Sequence, residues 1–206
     1  MNIRKAAIAM IAPLMIMGMG TANASEAVID HTVIDCTVGQ FYVGGYPDTN
    51  RVPEGYIPIT TPKGIFPWQS GGYNKGQKLG VEKLVEAVDA YASVCPTAPI
   101  YIGGHSYGAA IVHTSLETID NRPYANRVTV NVTGNPRHPG GIEENYSGSA
   151  LLGIKFRGEG IIPENILEFN SECNKNDGIC DLPSMSSDSV GFGSGVVGYF
   201  TGAHNY

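Results

Sequence analysis

The residues best suited to chemistry are in Gly104-His105-Ser106-Tyr107-Gly108. A Gly-x-Ser-x-Gly run between a strand and a helix holds its serine on a tight, strained turn. The flanking positions must be small, and the serine stands at a helix N-terminus, where free amides and the helix dipole favour a developing negative charge. The Tyr107 N–H is the expected first donor to an oxyanion. A serine hydroxyl is a weak nucleophile until a base takes its proton. That base is commonly a histidine oriented by a carboxylate, and on this kind of turn the chain order is Ser, then Asp or Glu, then His.

Two histidines follow Ser106 beyond its helix, His138 and His204. Only His204 leaves room for a carboxylate loop between itself and the serine. His105 adjoins the serine on the turn and is expected to point elsewhere, and His113, seven residues into the helix, reads as a packing or surface residue. The carboxylate candidates are Asp177, Asp181 and Asp188. Asp177 lies in Cys173-Asn174-Lys175-Asn176-Asp177-Gly178-Ile179-Cys180, directly after a predicted strand, and Asp181 adjoins the same segment.

Positioning these groups needs a frame. Residues 38–44 (VGQFYVG) read as a strand ending in a Gly-Gly turn, and residues 70–80 as a Gly-rich loop. Residues 79–94 carry apolar side chains at helical spacing and stop at Cys95-Pro96. Residues 99–103 (PIYIG) fit a buried parallel strand, and a second helix starts near Ser106. Residues 128–132 (VTVNV) and 166–169 read as further strands, and residues 191–202 as a Gly-rich approach to the C-terminus. Strands alternating with helices argue for an α/β fold with a mainly parallel sheet, whose active sites gather at the carboxyl ends of the strands.

The N-terminus reads as a secretory signal peptide: Arg4 and Lys5, then an apolar run, then Ala22-Asn23-Ala24, giving a cut after Ala24. The run is short for a membrane span and Pro13 interrupts it. This divides the chain into residues 1–24 and one domain, 25–206, of about 180 residues, with no transmembrane segment in the mature chain. With 13 Lys and Arg against 19 Asp and Glu, the formal charge is −6. No basic stripe is present, so nucleic acid is not an expected partner. Cys36, Cys95, Cys173 and Cys180 are an even set in an exported chain, which points to two disulfides. Three pairings are possible; a Cys173/Cys180 bridge would clamp a short loop, and Cys36/Cys95 would then tie the start of the fold to a point far along the chain. A zinc site would want Cys-x-x-Cys or a His cluster, and neither is present.

Cys95-Pro96-Thr97-Ala98, followed by residues 100–110 (IYIGGHSYGAA), resembles the cutinase family, with its Cys-Pro before the nucleophile strand and its Gly-Tyr-Ser-Gln-Gly-Ala-Ala turn. The spacing of Cys173, Asp177 and Cys180 matches the family's late Cys-Asp-Cys segment. His204 echoes a His-x-x-Tyr element, with Tyr206 one position early. Residues 134–142 (GNPRHPGGI) and 177–183 (DGICDLP) are similar to the PE-PPE domain of mycobacterial proteins, a relative of cutinases, and mycobacteriophage lysin B esterases share the layout.

The resemblance implies a cutinase-like α/β-hydrolase, a three-layer sandwich around a central, mainly parallel sheet, with disulfides Cys36–Cys95 and Cys173–Cys180. It implies Ser106 as nucleophile, Asp177 as triad acid and His204 as base, cleaving a carboxylic ester through an acyl-enzyme without metal or cofactor. The second oxyanion donor should come from the turn after the first strand, Gly45 or Tyr46. Tyr107 departs from the family's Gln, so side-chain contacts in the hole should differ. The expected partner is an ester or lipid substrate, and the expected location after secretion is extracellular or at the cell-envelope surface. Alternatives are a mycolate-type cell-wall lipid esterase like lysin B, or a secreted binding protein that kept the fold without catalysis.

Overall fold

The structure, a computed structural model, describes residues 34–45, 52–61, 72–148, 150–151 and 154–206. The expected signal peptide and Tyr46 lie outside the described residues. In chain order the elements are β1 (Gly39–Val43), β2 (Ile57–Pro58), α1 (Gly72–Val94), β3 (Ile100–His105), α2 (Tyr107–Ile119), β4 (Val128–Thr133), α3 (Ile142–Asn145), β5 (Ala150–Leu151), β6 (Ile154–Lys155), β7 (Glu168–Glu172) and α4 (Ser189–Thr201). The main sheet runs β2-β1-β3-β4-β7 with every pairing parallel. A small antiparallel ribbon pairs β5 with β6. This is an α/β fold with a central parallel sheet and flanking helices.

Alternation along the strands decides where the core forms. Phe41 and Val43 of β1, Ile100 and Ile102 of β3, and Val128, Val130 and Val132 of β4 all turn to one side and are buried. Against them pack Leu84 and Val88 of α1 and Ile111, Val112, Leu116 and Ile119 of α2. Each such aliphatic side chain stabilises the fold by about 1.5–3 kcal/mol of burial. Both disulfides are those the resemblance implied, Cys36–Cys95 and Cys173–Cys180, with Cα–Cα distances of 5.3 and 5.8 Å.

Three sequence-based assignments need correction. The segment read as a loop over 70–80 is helical from Gly72, because α1 packs Gly76, Gln77 and Gly80 inward. Glycine's low helix propensity is overridden where a larger residue would not fit: a Cβ at Gly80 would sit 2.8 Å from both Ile111 Cδ1 and Thr61 Cγ2. The Gly-rich stretch near the C-terminus is α4. Asp188 caps it by accepting from the Gly191 N–H at 2.8 Å, and Gly202 ends it in a left-handed conformation. Its glycines let it lie close on the 176–182 loop, with Gly195 against Leu182. The last strand is Glu168–Glu172 rather than 166–169; it extends to the point where the Cys173 loop begins.

Candidate active site

Four segments that follow the carboxyl ends of β1, β3, β4 and β7 converge at one edge of the sheet. At the end of β3, Ser106 adopts φ 55°, ψ −120°. A non-glycine residue held there costs about 1–3 kcal/mol and persists only where its surroundings fix it. The Ser106 N–H donates to Thr133 O at 2.9 Å, and its carbonyl accepts from Ala110 N at 3.1 Å in the first turn of α2. Gly108 explains its place in the motif: a Cβ there would collide with the Val43 carbonyl, so only glycine lets α2 lie this close to β1. Gly45, after β1, lies against the turn, and a Cβ on it would be 3.2 Å from Ser106 Cβ.

The loop after β7 carries Asp177, fully buried beside the Cys173–Cys180 bridge. Its carboxylate accepts three donors: the Ile179 N–H at 2.8 Å, the Tyr206 hydroxyl at 2.8 Å, and His204 Nδ1 at 2.9 and 2.8 Å from its two oxygens. Burial pushes the Asp177 pKa up, but the hydrogen bonds from His204, Ile179 and Tyr206 outweigh it and leave it below the ordinary carboxylate value. A carboxylate only accepts, so Nδ1 is a donor here, and in the neutral ring the lone pair is on Nε2. Nε2 is buried and has no hydrogen-bond partner.

Asp181 and Asp188, the rivals for this position, do other work. Asp181 accepts from the Asn176 N–H at 2.8 Å and steadies the loop, and Asp188 caps α4. The His204 ring sits over the serine turn, with its centroid 4.7 Å from that of His105. His105 therefore does not point away from the site: its ring packs on His204, while Nδ1 is 3.1 Å from Thr133 Oγ1. Gly134, at φ +57°, leaves the room; a Cβ there would lie 2.6 Å from His204 Cε1. No side-chain hydrogen bond joins Ser106 to His204 among the described residues. Tyr42, Gly45, Pro53, His105, Thr133 and His204 line a cleft of about 750 Å³ at this edge.

Tyr206 was legible only as a displaced family tyrosine. In the structure it is a third support of Asp177 and in turn accepts from the Asn174 N–H at 2.8 Å. The Tyr107 side chain turns inward, away from the cleft, and is 5% exposed. Its hydroxyl donates to Tyr73 O at 3.2 Å, and the Tyr73 hydroxyl donates to the fully buried Glu143 at 3.0 Å. Burial raises the Glu143 pKa against the opposing hydrogen bonds of Arg157 N, Tyr73 and Gln77.

The segment from Gly134 to Gly141 braces α2 rather than lining the cleft. Asn135 Nδ2 donates to His113 Nδ1 at 2.9 Å, and His113 Nε2 donates to Ile161 O at 2.7 Å. Burial lowers the His113 pKa to about 4, so the ring is neutral. Arg137 is buried between Thr114, Glu117 and the carbonyls of Gly158 and Glu159. His138 pairs with Ser171 Oγ at 3.0 Å. Among the described residues no group of three or more His, Cys, Asp or Glu side chains converges as metal ligands would.

The sequence model of the cutinase family matches residues 63–195. The chain belongs to the cutinase family. The match spans Ser106 and Asp177, and His204 lies beyond it. None of the curated proteins matches the chain in sequence. Among solved structures it is similar to lysin B from Mycobacteriophage D29, at 19% identity and a TM-score of 0.46, over 66% of this chain and 63% of that one. It thus spans less than two thirds of the lysin's length. An acetyl xylan esterase shares 20% identity with a TM-score of 0.47, over 81% of this chain and 96% of that one. A cutinase-like protein from Cryptococcus sp. shares 15% identity with a TM-score of 0.46, over 79% and 91%.

Proposed function

We propose that this protein is a secreted serine esterase that cleaves carboxylic esters through an acyl-enzyme. The observation that carries the reading is the Asp177–His204 pair at 2.8 Å, which directs an unpartnered Nε2 beside a strained serine turn. Ser106 Oγ attacks the ester carbonyl as Nε2 takes its proton, and Asp177 stabilises the imidazolium that forms. The N–H groups of Tyr107 and of Gly45 or Tyr46 hold the oxyanion. Collapse passes the proton from Nε2 to the departing alcohol and leaves the acyl group on Ser106. Water then attacks, gives its proton to Nε2, and releases the acid as the proton returns to Oγ. Base–nucleophile hydrogen bonds are often long in free enzymes and tighten once substrate is bound.

Two disulfides support an oxidising compartment, reached through a signal peptide cut after Ala24. Mass spectrometry of the exported protein tests that cut. Hydrolysis of p-nitrophenyl butyrate tests the chemistry: Ser106→Ala should lower kcat by several orders of magnitude, and activity that survives it overturns the nucleophile. The missing Ser106–His204 hydrogen bond favours a second reading, a binding protein without catalysis. Labelling by a fluorophosphonate probe separates the two, since only an activated serine reacts.

A further inference from the structure

A hydrogen bond at one atom does not fix an imidazole. Asp177 holds His204 at Nδ1, and the ring can still turn about that contact. Packing is what stops it. The ring meets those of His105 at 4.7 Å between centroids, Tyr199 at 5.4 Å and Tyr206 at 6.0 Å, and Gly134 clears its Cε1. Tyr199 belongs to α4, and glycines let it come this close. A Cβ on Gly178, next to Asp177, would lie 3.0 Å from Tyr199 Cβ, and a Cβ on Gly198 would meet the Asn176 carbonyl. Helix and loop close on each other at the level of Tyr199, so the loop that supplies Asp177 also seats this ring beside His204.

We infer that Tyr199 is a positioning residue for ester cleavage, whose ring holds His204 in place and favours its imidazolium. The inference rests on the serine-esterase reading, in which His204 becomes a cation as Ser106 attacks. The His204 side chain is 12% exposed, so water meets little of that charge and the protein has to meet the rest. Asp177 does so at Nδ1. An aromatic face is negative and draws a cation within about 6 Å of its centroid. The neighbouring rings are not equal in this. Tyr206 stands at 89° to the imidazole, and its hydroxyl is committed to Asp177. His105 is itself a base, and its ring repels the cation whenever it is protonated. Tyr199 is within range, its plane is 38° from that of the imidazole, and it never carries positive charge. A neutral imidazole gains little from such a face and the cation gains much. The contact therefore strengthens on the way to the transition state and acts on kcat rather than KM.

The experiment is steady-state hydrolysis of p-nitrophenyl butyrate by the exported protein with Tyr199→Leu, with Tyr199→Phe, and with phenylalanines bearing one, two or three ring fluorines at the same position. Fluorine draws charge off the ring face and hardly changes the size of the ring, so packing is kept while the attraction is stepped down. Tyr199→Leu should lower kcat about tenfold with KM within about twofold, and Tyr199→Phe, which keeps the face, should recover most of that loss. From the phenylalanine variant, kcat should then fall with each added fluorine toward the leucine value. A kcat that stays flat across the fluorinated series, or a loss confined to KM, overturns the role and leaves Tyr199 filling space. Should circular dichroism show that Tyr199→Leu does not fold, the fluorinated series decides alone. Wild-type protein that neither hydrolyses the ester nor takes a fluorophosphonate label overturns the esterase reading and this inference with it. A labelled, active enzyme with a flat series overturns this inference alone.

Discussion

Replacing Asp177 with asparagine alters one atom of the site, and the surrounding donors determine the outcome. Oδ1 accepts from the Ile179 N–H, a backbone donor that cannot reverse, so an asparagine must keep its carbonyl oxygen there. Its NH2 then takes the place of Oδ2, facing Tyr206 and His204 Nδ1, both 2.8 Å away. His204 has to accept at Nδ1 and carry its proton on Nε2, and the base is lost. Holding the wrong tautomer in this kind of triad costs about 10⁴ in kcat, or about 5.4 kcal/mol of transition-state stabilisation. KM should change little, since Asp177 is buried away from the cleft. Asp181→Asn can keep its carbonyl oxygen on the Asn176 N–H and loses only the charge there, so it should cost at most about 1 kcal/mol of stability with kcat within threefold. Steady-state hydrolysis of p-nitrophenyl butyrate by both variants, with folding checked by circular dichroism, tests the pair. The reasoning is refuted if Asp177→Asn keeps more than a tenth of the activity, or if Asp181→Asn loses as much as Asp177→Asn.

Tyr206→Phe removes one charge-assisted hydrogen bond from Asp177, worth about 1.5–3 kcal/mol; kcat should fall about tenfold with KM unchanged, and an unaltered kcat would make Tyr206 a bystander. Loss of the Cys36–Cys95 bridge should cost about 4 kcal/mol of stability and loss of Cys173–Cys180 about 2.5, from their sequence separations of 59 and 7. Activity should take the opposite order, because the shorter loop holds Asp177; denaturant melts and rates on the two double-serine variants read both. His113 is neutral in the fold with a pKa near 4, against 6.5 when unfolded. The unfolded chain binds the extra proton first, so stability is complete above about pH 6.5 and falls by about 3 kcal/mol as pH drops to about 4. Glu143, with its raised pKa, runs the other way above its ordinary value of 4.5. The loss at Asp177 begins only below about 3.8. The difference between wild type and His113→Gln isolates the histidine, and parallel urea-midpoint profiles from pH 7.5 to 4 would count against its buried neutral state.

The serine turn and the disulfide-clamped aspartate were legible because each is local. Gly104, Ser106 and Gly108 are adjacent in sequence because they are adjacent in space, and their spacing expresses a backbone geometry directly. Asp177 could be narrowed to a short segment for the same reason. Choosing it over Asp181 from the residues alone was not possible, since both flank one turn and the choice depends on which carboxylate the C-terminal His204 reaches. That is a contact across 27 residues. Tyr206 and His105 escaped for a related reason: their partners, Asp177 and His204, come from distant segments, and no periodicity encodes such a meeting.

The misread helices show a different limit. Propensity counts glycine against a helix, and both α1 and α4 begin in glycine-rich sequence. In each case glycine serves the contact rather than the helix: Gly80 clears Ile111, and Gly195 clears Leu182. A glycine in a helix costs about 1 kcal/mol relative to alanine. Close approach of α4 recovers that by packing a helix onto the very loop that holds Asp177. The C-terminal tyrosine and histidine can then return over the serine turn within a few residues of Gly202. The glycine-rich segment, read from sequence as a mere approach to the C-terminus, is thus the element that brings His204 back onto Asp177 and against the His105 ring of the serine turn.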